Sequence, residues 1–515
     1  MKKNKPEQFC LDILNLDNVH VKGLVSILLS LGSELNARNP TMLSKNKLFQ
    51  YHYSILNKVT KNLSKELKLS KDTEDCCNAK EVSDLRKHLQ VHCMKYGPRK
   101  NIYKLQSDLT PNRKAYSNCL ACRGYVSIPN NKIKGNKSID IGYNYSYVNL
   151  GLYDAEHPNA WSLPLDNIRI GLNDNPLSVS SAQLLGMMEC ADLPFQEAER
   201  VVNSADSGYS HPSYIHPLVS QCPNLNLVIR FRAGTKVYKK YSGKQIAAGR
   251  NKVYEDEPYY LQIERERKCY NPKTKKSFLK AQRPIFDLPM DEELSFETTT
   301  RSGRKLIIQL HRWNDLLITG SREYDMSNLF FDLVAVLCID KETGEMVFKR
   351  PMFLTFWGCN KAQYTTRNIH EDYRHRYDIE VHNRFSKQSL LLDKYETPEV
   401  GHLDAWAWVV QLTYWLLYTA STEVEVHVNE WEKYLPEVKR AQKETAPKSV
   451  SMTRKGAEAF FSTFDIKPFA PKSSKNGKGR KKGEKPTPRT WKSPRKKYSK
   501  YKKQAEKDKN VVKLE

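Results

Sequence analysis

Residues 373 to 387 read Tyr373-Arg374-His375-Arg376-Tyr377-Asp378-Ile379-Glu380-Val381-His382-Asn383-Arg384-Phe385-Ser386-Lys387. Charged and apolar positions recurring every three or four residues predict one amphipathic helix through this stretch. Tyr373, Arg376, Glu380 and Lys387 stand at offsets of 0, 3, 7 and 14. At about 100° per residue, all four fall within roughly 60° of one face. That face presents a carboxylate among two cations and a phenol, a set suited to a metal ion and a DNA end. The same spacing also suits a solvated face laced by Arg–Glu pairs, so the helix alone leaves both readings open.

Two aspartates lie upstream at predicted strand ends. Asp108 closes a candidate strand over 102–108, in Ser107-Asp108-Leu109-Thr110-Pro111. Asp206 closes another over 201–206, in Ala205-Asp206-Ser207-Gly208-Tyr209. Strand-end carboxylates, joined by one from a helix, can hold two hard divalent cations. Such a pair activates water on one side of a phosphodiester and stabilises the leaving oxygen on the other. Taken singly, a strand-end aspartate is more often a turn or cap residue.

Composition narrows the field. The chain has 515 residues with 84 Lys and Arg against 58 Asp and Glu, a net charge of +26. This excess points to a polyanionic partner. Residues 471–505 alone carry 15 cations and one acid, Glu484, leaving +12 for the rest. The 11 cysteines are irregularly spaced and form no small disulfide framework. The apolar run 24–31 follows Glu7, Asp12 and Asp17, so the basic start is not read as a signal peptide. The most apolar stretch, 403–420, contains Asp404 and Gln411 and reads as a buried helix rather than a membrane span. A soluble cytoplasmic protein is expected.

The order of patterns predicts an α/β fold in five parts. Residues 1–95 are helical, with helices over 21–35 and around Leu48, Leu56, Val59, Leu63 and Leu67. They form either a DNA-end-reading region or a cap on the main domain. Residues 96–232 alternate strands (102–108, 124–128, 145–153, 201–206, 225–231) with a helix over 182–190. Residues 233–360 read as a β-rich insertion, with strands over 259–263, 305–310, 329–338 and 346–348. Residues 361–430 return to helix. Residues 431–515 form a linker and a tail of Lys, Ser, Gly and Pro, including Pro471, Pro486, Pro488 and Pro494, too polar to bury a core and expected to be disordered.

The spacing Y-x2-R-x3-E-x6-K at Tyr373, Arg376, Glu380 and Lys387 resembles the signature of a group of DDE transposases from bacterial insertion sequences. Asp206, before a small residue, Gly208 and Tyr209, is similar to that group's second aspartate, and 227–232 to the strand after it. Asp108, followed by 136–146, is similar to the first aspartate; Asp140 and Asp154 are nearby rivals. The resemblance covers about 100–421. It implies a ribonuclease-H-like core interrupted by a β-rich insertion. It further implies Asp108, Asp206 and Glu380 as ligands of two Mg²⁺ ions, with Mn²⁺ able to substitute. Water would first free a 3′-hydroxyl at the element's ends, and that hydroxyl would then attack target DNA. Tyr373, Arg376 and Lys387 would grip the terminal nucleotides, with Arg230 and Arg232 as further DNA-binding candidates and Trp313 as a platform for a flipped base or a core residue. The implied partners are terminal inverted repeats and target DNA, met by a homodimer in the bacterial nucleoid, with no membrane. A catalytically retired DNA-binding protein and a ribonuclease-H-like nuclease are the alternatives.

Other signals are weaker. Cys119 and Cys122 form a lone C-x2-C. Cys76, Cys77, His88, His92 and Cys93 form a Cys/His group of no familiar zinc spacing. The tail suits non-specific contact with DNA backbone or simple solubilisation.

Overall fold

The computed structural model describes residues 4–14, 21–52, 54–67, 83–129, 137–153, 160–245, 251–271, 276–300, 303–359, 361–425, 430, 434, 447–466, 483 and 490–494. Most of the basic tail, Cys76, Cys77 and Asp154 therefore lie outside the described residues. The chain is mixed α/β. It opens with helices α1 (Lys5–Leu14), α2 (Val21–Ser33), α3 (Pro40–Leu43), α4 (Ser54–Glu66) and α5 (Asp84–Tyr96). Strands β1 (Ile102–Arg113), β2 (Gly124–Pro129), β3 (Lys137–Leu152) and β4 (Trp161–Ile170) follow, then α6 (Pro176–Met188), β5 (Arg200–Ala205), α7 (Pro212–Gln221) and β6 (Leu225–Phe231). Next come β7 (Lys236–Val237), β8 (Tyr259–Tyr260), β9 (Glu266–Asn271), β10 (Lys276–Ala281), β11 (Arg283–Pro284), β12 (Glu292–Thr299), β13 (Lys305–Leu316), β14 (Phe331–Asp340) and β15 (Met352–Trp357). Helices α8 (Thr366–His375), α9 (Asp378–Gln388), α10 (Val400–Ala420) and α11 (Val450–Phe461) complete it.

Two compact units share the chain. The first comprises Met1–Arg99, Asp108–Gly186 and Asp378–Glu515; the second comprises Lys100–Ser107 and Met187–Tyr377. Both units draw on β1, whose first six residues lie in the second and the remainder in the first.

The first unit is organised by α10, every residue of which is buried. Around it pack α1, α2, α4, α5, α11 and β4. Periodicity explains the partners: α2 buries Leu24, Val25, Leu28, Leu29 and Leu31, and α4 buries Ile55, Leu56, Val59 and Leu63. The N-terminal helices thus cover α10. Among the described residues, no helix is long and apolar enough to cross a membrane.

Strand β4 escapes the sequence reading. Its ten residues are all buried although they include Pro164, Asp166, Asn167 and Arg169. Each polar group has a partner. Asp166 accepts from Arg86 Nε at 2.8 Å and from Gln183 Nε2 at 2.8 Å. Asn167 donates to Gln411 Oε1 at 2.8 Å, and Arg169 Nε donates to Asp404 at 3.0 Å. Trp415 Nε1 donates to the Pro164 carbonyl at 2.6 Å. Pro164 has no N–H to give the ladder, and a register shift at Val148/Asn149 of β3 accommodates it.

In the second unit, β5 pairs in parallel with β1 and β6. The sheet then continues antiparallel through β15, β14, β13 and β12. The β-rich stretch therefore extends the sheet that β5 and β6 begin. A three-stranded piece (β11, β8, β7) and a two-stranded ribbon (β9, β10) form separate sheets. Helix α8 covers the main sheet, setting Ile369 and Tyr373 in a cluster with Val202, Val228, Leu310, Val334, Leu354 and Phe356. Residues 346–348, expected as a strand, contribute only the isolated bridge of Met346 to Ile339.

Removing one partner of a buried ion pair strands the other charge, at about 3–5 kcal/mol. Asp404→Ala should therefore destabilise the protein by that order in urea unfolding, because Arg169 is 3% exposed. The double variant Arg169→Met/Asp404→Leu should recover most of the loss. A cost below about 1 kcal/mol for Asp404→Ala would remove this pair from the core's essential contacts.

Candidate functional site

The parallel ladder between β1 and β5 begins at Ile102 with Arg200 and ends at Ser107 with Ala205. The next residue along each chain is an aspartate, Asp108 after β1's last rung and Asp206 after β5's. Ser107 Oγ donates to Asn203 Oδ1 at 3.0 Å, closing the ladder's end with a side-chain bond.

In the second unit, Asp206 follows β5 with its backbone still extended and caps the short turn Ser207–Tyr209. Its Oδ1 accepts from the Gly208 N–H at 2.7 Å. A Cβ on residue 208 would stand 2.9 Å from that oxygen, so glycine is required for the carboxylate to sit there. Tyr373 belongs to the core cluster and is 8% exposed. Burial raises its phenol pKa, opposed by the charges of Arg376 and Arg230 and by a hydrogen bond from Arg230; the Asp206 charge raises it further. The Arg376 guanidinium lies 5.8 Å from the Tyr373 ring centroid. Arg230 and Arg232 are exposed on either side of buried Phe231.

The single helix expected over 373–387 is in fact two. Helix α8 ends at His375 and α9 starts at Asp378, so Tyr373 and Arg376 do not share one helix face with Glu380 and Lys387. The reason lies in the carbonyls of the last turn. Gln106 Nε2 donates to the His375 carbonyl at 2.8 Å, and Ser204 Oγ to that of Asp372 at 3.3 Å. Arg376 N–H turns back to Tyr373 O as a tightened last turn.

Asp108, expected to close a strand over 102–108, lies mid-strand instead, because β1 runs on to Arg113. In the first unit, α9 presents Asn383 and Lys387 to this second half of β1. Asn383 Nδ2 donates to Asp108 Oδ2 at 2.9 Å, and Lys387 Nζ donates to Thr110 Oγ1 at 2.6 Å. Glu380, half-buried, lies three residues before Asn383 and so on the same stripe. Burial pushes the Lys387 ammonium down to about 8, while the charges of Asp108 and Asp393 pull it up. His382 is buried between Tyr147 and Tyr414, and desolvation lowers it to about 3, so it is neutral at ordinary pH. Asp140, a rival for the first aspartate, pairs with Arg113 at 3.4 Å.

The sequence matches no protein-family model and no curated protein. Among the described residues, no group of three or more His, Cys, Asp or Glu side chains stands ready to hold a metal. Cys93 is buried and His92 packs against Phe9 and Tyr96. Trp313, expected as a base platform or a core residue, is core: it is wholly buried, gives its indole N–H to Leu288 O at 2.9 Å and packs edge-on to Phe286. Asn383, Thr110 and Gln106 were not singled out from sequence. Asn383 alone carried a signal, its three-residue spacing from Glu380.

Lys387 binds its proton less tightly folded than unfolded, so it opposes folding below about pH 8 and ceases to as pH rises toward 10.5. Between pH 7.5 and 9.5, the wild type should gain on the order of 2 kcal/mol relative to Lys387→Met. Parallel urea titrations at the two pH values measure it; equal slopes for both proteins would refute the buried ammonium.

Proposed function

We propose that the chain is a DDE-type DNA transposase that cuts at the ends of its own element and joins the freed 3′-hydroxyls to target DNA. The observation that carries this reading is the β1–β5 ladder, followed on both strands by an aspartate. Further support comes from chain order. β1 leads, β2, β3 and β4 follow antiparallel, α6 intervenes, and β5 and β6 return parallel to β1. This order supports reading the chain as a ribonuclease-H-like core with β7–β15 inserted before the helix that carries Glu380.

Asp108, Asp206 and Glu380 offer the all-oxygen donor set that Mg²⁺ prefers, and they would hold the ions. Bound metal would supply activation of the attacking hydroxyl and neutralisation at the leaving oxygen. The protein's own side chains do the rest. Asn383 fixes the orientation of Asp108, and the Gly208 N–H fixes that of Asp206. Lys387, Arg376, Arg230 and Arg232 supply charge for phosphates. Tyr373, its ring in the core, aims Arg230 rather than stacking on a base. Two copies in a synaptic complex, acting in the bacterial nucleoid, would join both element ends.

Nicking of DNA carrying the element's terminal repeats, with Mg²⁺ or Mn²⁺, tests the proposal. Glu380→Ala should abolish cleavage and leave end binding intact. Asn383→Ala should lower cleavage about 10- to 100-fold and raise the Mg²⁺ needed, as for residues that orient a metal ligand. Undiminished cutting by Glu380→Ala would exclude its role as ligand. End binding without cutting by the wild type would identify a retired transposase. Cutting that unrelated duplex competes away would identify a general nuclease.

A further inference from the structure

Six of the eight tryptophans are fully buried. Trp491 is 77% exposed. It lies in Thr490-Trp491-Lys492-Ser493-Pro494, within a run carrying Lys485, Arg489, Lys492, Arg495, Lys496 and Lys497.

This short piece is fastened to the first unit through its backbone. The Lys492 N–H donates to the Asn118 carbonyl at 2.8 Å, and the Lys492 carbonyl accepts from Arg123 Nη2 at 2.7 Å. Arg123 is 2% exposed, and its Nη1 also donates to the carbonyls of Lys114 at 3.0 Å and Ala115 at 3.1 Å. One buried guanidinium therefore braces the turn after β1 and clips the strap onto it. Tyr116, in the same turn, is 95% exposed, and its carbonyl accepts from the Asn118 N–H at 3.0 Å.

Two large aromatic rings thus stay in water, on backbone that hydrogen bonds hold in place, and Trp491 belongs to a stretch of sequence rich in Lys and Arg. An apolar anchor would have buried the indole. Open rings in a Lys- and Arg-rich sequence match unpaired nucleotides, whose bases stack on aromatic rings while their phosphates meet cations. We propose that residues 490–494 form a clipped strap that offers Trp491, with Tyr116, as a stacking platform for unpaired nucleobases. This platform uses none of the acids of the proposed active site and does not depend on them.

Binding of an oligo-dT strand to the full-length protein, followed by anisotropy and by tryptophan emission at fixed salt, tests this. The strand should quench emission, and Trp491→Phe should abolish most of the quenching while keeping affinity within a few-fold. Trp491→Ala should weaken binding by about tenfold, the usual worth of one stacked base. Lys492→Pro removes the N–H given to Asn118 without touching the body, and it should weaken binding as well. Wild-type affinity in Trp491→Ala, or quenching that survives in Trp491→Phe, would overturn the proposal. So would a response of Trp491 to anionic phosphatidylglycerol vesicles but not to the strand.

Discussion

A helix buried on every side needs partners for its polar groups, and α10 finds three of them along one line. Arg169, Asn167 and Pro164 of β4 bond in turn to Asp404, Gln411 and Trp415 of α10. From 169 back to 164 the strand advances about 16 Å, and from 404 to 415 the helix advances about 16 Å. The rungs match in length, so they set register as well as contact. Burial pushes the Asp404 carboxyl up, against the pull of Arg169 and the Tyr145 hydroxyl. Apolar side chains could fill the space at less cost in desolvation. What the polar rungs add is a single way for the helix to lie.

The second unit is held in the same manner. Arg312 on β13 donates to Asp332 on β14 at 2.6 Å, and to the carbonyls of Tyr364 at 3.1 Å and Lys361 at 3.2 Å. It thereby ties the sheet to the segment that enters α8. Where α8 starts is set there, and where it ends is set by Gln106 and Ser204. Tyr373 and Arg376 are placed by these two constraints and not by the helix's own periodicity.

How much could be read in advance follows the same physics. Apolar repeats located β6, α2, α4 and α10, whose partners are mostly apolar. The strand-end positions of Asp206 and Glu380's helix were also legible, because turn chemistry and helical spacing are local. β4 was not, since its polar residues look exposed until Arg86, Gln183, Asp404 and Gln411 supply their partners from far along the chain. The split between α8 and α9 was invisible for the same reason: the groups that cap the carbonyls lie on β1 and β5. Trp313 reads alike as a core or a surface aromatic until its neighbours Phe286 and Leu288 are known.

The place of α10 in the chain has a consequence for synthesis. Helices α1, α2 and α4 leave the ribosome about 350 to 400 residues before α10 is complete. At about 5–20 residues per second, their oily stripes wait roughly 20 to 80 seconds for the surface they cover. During that interval the nascent chain resembles a client for holding chaperones more than a folding domain. Truncation anywhere before the middle four hundreds would leave those stripes permanently bare, so prematurely terminated chains should be insoluble and rapidly cleared.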